Sequence, residues 1–220
     1  MKQIILTALL AFYVLTAFGQ KHVRLSFTGS PSINWLTTSN SSASNEKLIL
    51  GYNFGLNGDF YFSEDERYSI LTGVQINNAG GEISYNPGYS FQFANTTLPS
   101  PSKIKYLLRY IEVPFAVRLR TDEFNRVRYW GLFGLSGMVN IEARGTSNDG
   151  SLKKANINSE VNLFNMAMDL GIGIDYDLGS SNAVSLGLVF QNGLLDVTTD
   201  NAFADNTKIN TLNLKLGIIF

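Results

Sequence analysis

The chain has 220 residues, enough for one domain, with no cysteine, one histidine, 45% hydrophobic and only 16% charged residues. Disulfide scaffolds, cysteine nucleophiles and zinc ribbons are therefore excluded. Its 17 Lys and Arg against 18 Asp and Glu leave a formal charge of −1, which supplies no basic field to neutralise phosphates and argues against a nucleic-acid partner.

The first residues read as an export address. Lys2 gives a positive start, Ile4 to Phe18 carries no charge, and Ala17-Phe18-Gly19 places small residues where a signal peptidase cuts. Cleavage is expected before Gln20, giving a signal peptide over 1–19 and a mature domain over 20–220. The uncharged run is too short for a helical span, which needs roughly 18 apolar residues or more.

From there the chain alternates with period two, the signature of strands. Apolar residues share one face in Val23 to Trp35, Leu48 to Phe62, Tyr68 to Asn77, Leu107 to Leu119, Val127 to Ile141, Phe164 to Leu178, Val184 to Leu194 and Leu212 to Phe220. Each of these eight segments is about long enough to cross a bilayer when tilted, which takes roughly 9–11 residues. The joins alternate as well. Ser63 to Arg67, Thr121 to Arg126 and Gly179 to Asn182 are short, whereas Thr37 to Lys47, Asn78 to Lys103, Gly145 to Asn158 and Thr198 to Lys208 are long and polar. The fold class predicted is all-β: an eight-stranded antiparallel up-and-down transmembrane β-barrel with short periplasmic turns, long extracellular loops and both termini periplasmic.

A soluble ligand-binding barrel would turn its apolar face inward, and a membrane barrel turns it outward. The other face favours the second. It mixes Arg24, Asp59, Glu112, Arg118, Asp169, Asp175 and Lys215 with Gly51, Gly55, Gly73, Gly134, Gly171, Gly173, Gly187 and Gly217, as a narrow interior requires beside large inward residues such as Tyr61. Aromatic residues near strand ends suggest a periplasmic girdle of Phe60, Phe62, Tyr68, Phe124, Tyr129, Trp130, Tyr176 and Phe220. Trp35, Tyr106, Tyr110 and Phe164 are candidates for an outer girdle, although either tyrosine fits the lumen equally.

The segment RYIEVPFAVRLR, Arg109 to Arg120, resembles the Y-L/I-E-I/V-P strand of the porin-like or PorT-like outer-membrane barrels of Bacteroidetes-type Gram-negative bacteria. YWGLFGLSG, DLGIGIDYDLG, FQNGLLDV and a final aromatic residue follow in that family's order, with Phe190 where tyrosine is common. The resemblance implies location in the outer membrane, contact with its lipid and assembly by the barrel-assembly machinery. It also implies, as a narrower option, partnership with components of a phylum-specific secretion system.

Individual residues carry further expectations. Arg24, Asp59, Glu112, Arg118, Asp169 and Lys215 are expected to form an ion-pair network in the lumen, with Arg118, Arg24 or Lys215 as the partner of Glu112, since an unpaired buried charge is costly. Pro114 lacks an amide donor and marks a bulge or break that sets register. Phe220 is the candidate barrel-assembly signal. No catalytic, cofactor or metal site is expected: His22 stands before the first strand, and Asp196, Asp200, Asp205 and Asn148-Asp149-Gly150 lack calcium-loop spacing. Gly171-Ile172-Gly173 is too short for a phosphate cradle and reads as packing. The functional expectation is a small non-enzymatic outer-membrane barrel with a side-chain-filled lumen and a structural, surface-interaction or assembly role. A secretion accessory and a soluble periplasmic ligand-binding barrel are the alternatives.

Overall fold

The computed structural model describes residues 23–39, 42–62, 65–179, 182–199 and 206–220. The expected signal peptide, His22, Asp200 and Asp205 lie outside them. Eight long strands carry the fold: β1 (Val23–Thr38), β2 (Ile49–Tyr61), β3 (Tyr68–Tyr85), β4 (Ser102–Arg120), β5 (Val127–Ser147), β6 (Phe164–Gly179), β7 (Asn182–Gly193) and β8 (Thr207–Ile219). Each pairs antiparallel with its sequence neighbours, and β8 returns to β1 with Phe27 opposite Ile218 and Ile33 opposite Leu212, which closes the barrel. Closure leaves no long edge of unpaired amides, the condition for crossing hydrocarbon with strands.

Period two decides the faces. Along β1, Ser26, Thr28, Ser30, Ser32 and Asn34 are buried in the lumen while Leu25, Phe27 and Ile33 are exposed outside. Along β4, Ile111, Val113, Phe115, Val117 and Leu119 point out, and Glu112, Ala116, Arg118 and Arg120 point in. The same outward band continues through Leu170, Ile172, Leu186, Leu188, Leu214 and Leu216. A soluble apolar-ligand barrel is ruled out by this polarity, because the greasy face is the outer one and the lumen is polar.

Two details of the expected arrangement are corrected. Trp130, assigned to the periplasmic girdle, is 4% exposed and lies in the lumen. Its partners in that girdle, such as Phe62, Phe124 and Tyr129, are outward as expected. The indole fits because Gly173 and Gly187 face it: a Cβ added at either would stand 2.3 Å from its ring. Tyr106 and Tyr110 are also fully buried, which leaves Trp35, stacked on Phe190 at 6.1 Å, and Phe164 outside.

Pro114 does interrupt pairing, but it does not shift register. The β3–β4 ladder is missing between Thr72 opposite Phe115 and Gln75 opposite Glu112, and resumes in the same register. Pro31 leaves a matching gap between β1 and β8, from Gly29 opposite Leu216 to Ser32 opposite Asn213. The register shift on β4 falls instead at Arg109/Tyr110, against β5.

The long connections are more ordered than loops of their composition suggest. Strands β3, β4 and β5 run past the apolar band to Tyr85, from Ser102 and to Ser147, and form a wall at the long-loop end. Ala43–Lys47 pairs along β3 and Ala155–Asn156 along β5. A small hairpin, Phe91–Phe93 with Thr96–Leu98, folds over the mouth. The segment expected as one loop, Asn78 to Lys103, is thus mostly strand.

Candidate functional site

Side chains fill the lumen in three layers. At the short-turn end Arg118 and Arg120 each contact both Asp59 and Asp175: Arg118 at 3.0 and 2.8 Å, Arg120 at 3.2 and 3.0 Å. All four are almost completely buried. Asp59 also accepts a hydrogen bond from Ser69 Oγ at 3.1 Å, and Arg118 donates to Ser185 at 3.3 Å. The guanidinium of Arg118 lies 4.6 Å from the centre of the Trp130 ring and that of Arg120 5.0 Å from Tyr61. Two cations against two anions, each hydrogen-bonded, is the arrangement that makes buried charge tolerable.

The middle layer is held by amides. Asn77 Nδ2 and Gln191 Nε2 each donate to Glu112 at 2.7 Å. Ser136 donates to Asp169 at 2.6 Å, with Gln191 at 3.1 Å from its other oxygen. Asn213 passes the chain on to Gln191 Oε1 at 3.0 Å. The cavity between these layers measures about 30 Å³ and is lined by Ser30, Glu112, Pro114, Asp169, Gln191 and Lys215 among others, room for no more than about one or two water molecules.

Among the described residues none of the expected partners makes an ion pair with Glu112, although Lys215 lines the same cavity and feels its charge. Arg118 is committed to Asp59 and Asp175. Arg24 stands across from Asp59 in the strand pair but bonds Glu66 of the β2–β3 turn at 2.9 Å, because Asp59 already serves two arginines. Lys215 lines the cavity without an ion pair to a described residue. Amides satisfy Glu112 in their place. Arg120 and the second aspartate of the cluster were missed as cluster members, although Arg118 and Arg120 share parity and must point the same way.

The third layer, at the long-loop end, is apolar. Leu36, Ile83, Tyr85, Tyr106, Ile157 and Val197 pack with Phe91, Phe93 and Leu98 of the hairpin. Phe93 meets Tyr106 edge-on at 6.0 Å, the Tyr85 and Tyr106 hydroxyls lie 2.7 Å apart, and Ala94 N donates to Glu160 at 3.2 Å. Glu160 belongs to a short 3-10 turn, Asn158–Glu160. The surrounding acidic residues are occupied as loop staples. Asp149 accepts from the Ser147 and Ser151 hydroxyls, which hold its carboxyl below the usual range, and Asp196 accepts from Thr198 and Thr207 amides. Among the described residues no group of three metal-ligating side chains is assembled.

The model of the outer membrane protein beta-barrel domain matches residues 18–216. The chain belongs to that family. Solved structures of outer membrane proteins are similar to this chain, and the first named agrees in fold. Neisserial surface protein A is 12% identical, with 91% of this chain and 97% of that one covered and a TM-score of 0.50. Ail of Yersinia pestis is 14% identical over 91% and 100% at 0.45, and OprG of Pseudomonas aeruginosa 14% identical over 92% and 98% at 0.44. No curated sequence matches this chain.

Proposed function

We propose that this member of the outer-membrane barrel family is a closed, non-enzymatic barrel that works through its loop end, in a structural, surface-interaction or assembly role, rather than through its lumen. The observation that carries this reading is the filled interior: an ion cluster, an amide layer and an apolar cap stand in series along the barrel axis. Each described lumen carboxylate is engaged by arginine, amide or hydroxyl, and the cavity beside Ser136 and Asp169, about 30 Å³, leaves no room for a substrate at that hydroxyl–carboxylate pair. The short turns and both ends of the described barrel lie together, and that end faces the periplasm in this reading. Lipid contacts the outward band, and Phe220, exposed and bonded through its amide to Leu25 O at 2.8 Å, is the residue offered to the barrel-assembly machinery.

Purified protein reconstituted in planar bilayers tests the closed lumen. Conductance at background is expected; stable open-channel steps would overturn the reading. The resemblance of Arg109 to Arg120 to PorT-like barrels of Bacteroidetes-type bacteria supports a narrower second reading, an accessory of protein secretion behind a cleavable signal peptide. Deletion followed by proteomics of the secreted fraction decides it: lost cargo supports the accessory role and an intact secretome removes it.

A further inference from the structure

The outer face of the wall formed by β3, β4 and β5 carries a feature the filled lumen does not explain. Four residues stand in line across four strands, Tyr52 opposite Asn78, Asn78 opposite Arg109 and Arg109 opposite Glu142. They follow directly on the apolar band, since Ile111 is the next outward residue of β4. Tyr52 is half exposed and stacks with Phe54 at 6.3 Å, as aromatic residues do where hydrocarbon meets headgroups. The line therefore marks the membrane surface at the loop end.

Positive charge is concentrated there. Arg109 donates to Asn78 Oδ1 at 2.9 Å and contacts Glu142 at 2.7 Å, and Arg144 reaches the same carboxylate at 2.5 Å. The register shift at Arg109/Tyr110 makes this sharing feasible, because it leaves both Ile141 and Glu142 on the outer side of β5. Lys154, placed by the Ala155–Asn156 strand, adds a third cation and has no ion pair to a described residue. One carboxylate thus faces two guanidiniums, with an ammonium lining the same cleft. Both arginines remain about half exposed, at 45% and 53% of their side-chain surface.

Beneath these groups is a groove. β2 pairs with β3 only from Tyr52 onward, and above that point β3 takes Ala43–Lys47 as its partner. The change of partner opens a cleft of about 450 Å³ floored by Leu50, Gly51, Leu107 and Leu108 and rimmed by Arg109, Arg144 and Lys154. Gly51 is required at its edge, since a Cβ there would meet Asn78 O at 2.2 Å.

We propose that this cleft binds a phosphorylated lipid of the surrounding leaflet, its phosphate held by Arg109, Arg144 and Lys154 and an acyl chain running from there down the outward band over Phe54 and Ile111. Charge complementarity selects the headgroup: guanidiniums match phosphate with paired donors, and a surplus of cations at the membrane surface attracts anions. The position selects lipid over a soluble anion, because the charges sit against exposed apolar side chains at the edge of the lipid-facing band. The inference rests on the membrane orientation proposed above.

The full barrel in phosphatidylcholine nanodiscs, titrated with lipid A, provides the test. The Arg144→Gln/Lys154→Gln variant, which leaves the lumen untouched, is expected to weaken binding about 10-fold or more, and dephosphorylated lipid A should bind the unmodified protein as poorly. Heat-modifiable migration in gels verifies that both proteins are folded barrels. Equal affinity of variant and unmodified protein, indifference to the phosphates, or equally tight binding of soluble inositol hexakisphosphate would overturn the lipid site. Protease cleavage of the 147–154 loop on intact cells tests orientation separately: cleavage supports loops outside the cell, and protection removes that reading without touching the affinity measured in nanodiscs.

Discussion

Asp59 shows how much a single buried group can carry. It is fully buried and faces both Arg118 and Arg120, so removing it leaves two guanidiniums sharing one remaining aspartate. Breaking a buried pair on one side costs about 3–5 kcal/mol, and Asp59→Ala is expected to lose that much in reversible urea unfolding from lipid vesicles; a loss below about 1 kcal/mol would show that the cluster is dispensable. Trp130 and Tyr129 are neighbours in sequence with opposite fates. Trp130→Ala empties the slot between Gly173 and Gly187 and should cost about 3–5 kcal/mol, whereas Tyr129→Ala, on the outer surface, should cost clearly less. Equal losses would place the indole outside the lumen. The parity of Trp130 was visible in the sequence, yet the run Tyr129-Trp130 at a strand end looks like a girdle on either face, and only the glycines of β6 and β7 opposite it decide which ring goes in.

At the scale of elements, turn chemistry is where local sequence and fold disagree slightly. The β4–β5 turn places Asn125 and Arg126 at φ of 50° and 68°, the left-handed pair of a tight hairpin. Asparagine accepts this conformation and arginine pays about 1 kcal/mol or more for it. Arg126→Gly should therefore raise unfolding stability by up to about 1 kcal/mol; a loss would mean that the arginine side chain, rather than its backbone, matters at this turn. The eight spanning strands and the alternation of short and long connections could be read directly, because burial of one face imposes period two along each strand. The strand extensions could not. Asn78 to Lys103 and Gly145 to Asn158 are rich in glycine and polar residues, and their strand pairing comes from partners such as Ala43–Lys47 that are distant or themselves short.

For the whole molecule, the outward band implies that lipid, not packing, sets tolerance on that face. Leu188, outward between Ile172 and Leu214 and near the middle of the band, is a direct probe. Leu188→Arg should destabilise the barrel by about 2–4 kcal/mol, measured in the same vesicle unfolding, while a neutral effect would mean that this face does not sit in hydrocarbon. The closed lumen also has two independent barriers, the apolar cap and the ion cluster, so trimming the Phe91–Phe93 hairpin alone should not make a pore.

The sequence by itself determined the all-β class, the strand count, the outward apolar face and the short and long connections, because each follows from a local periodicity or from composition between turns. Tertiary structure decided the partnerships. Which cation meets which carboxylate depends on strand register and on groups already committed across the barrel, so Glu112 is held by Asn77 and Gln191 while Arg118 and Arg120 share both Asp59 and Asp175. The cap and the basic cleft likewise exist only in the fold: the hairpin packs on residues as distant as Leu36 and Val197, and the cleft opens where β3 changes partner.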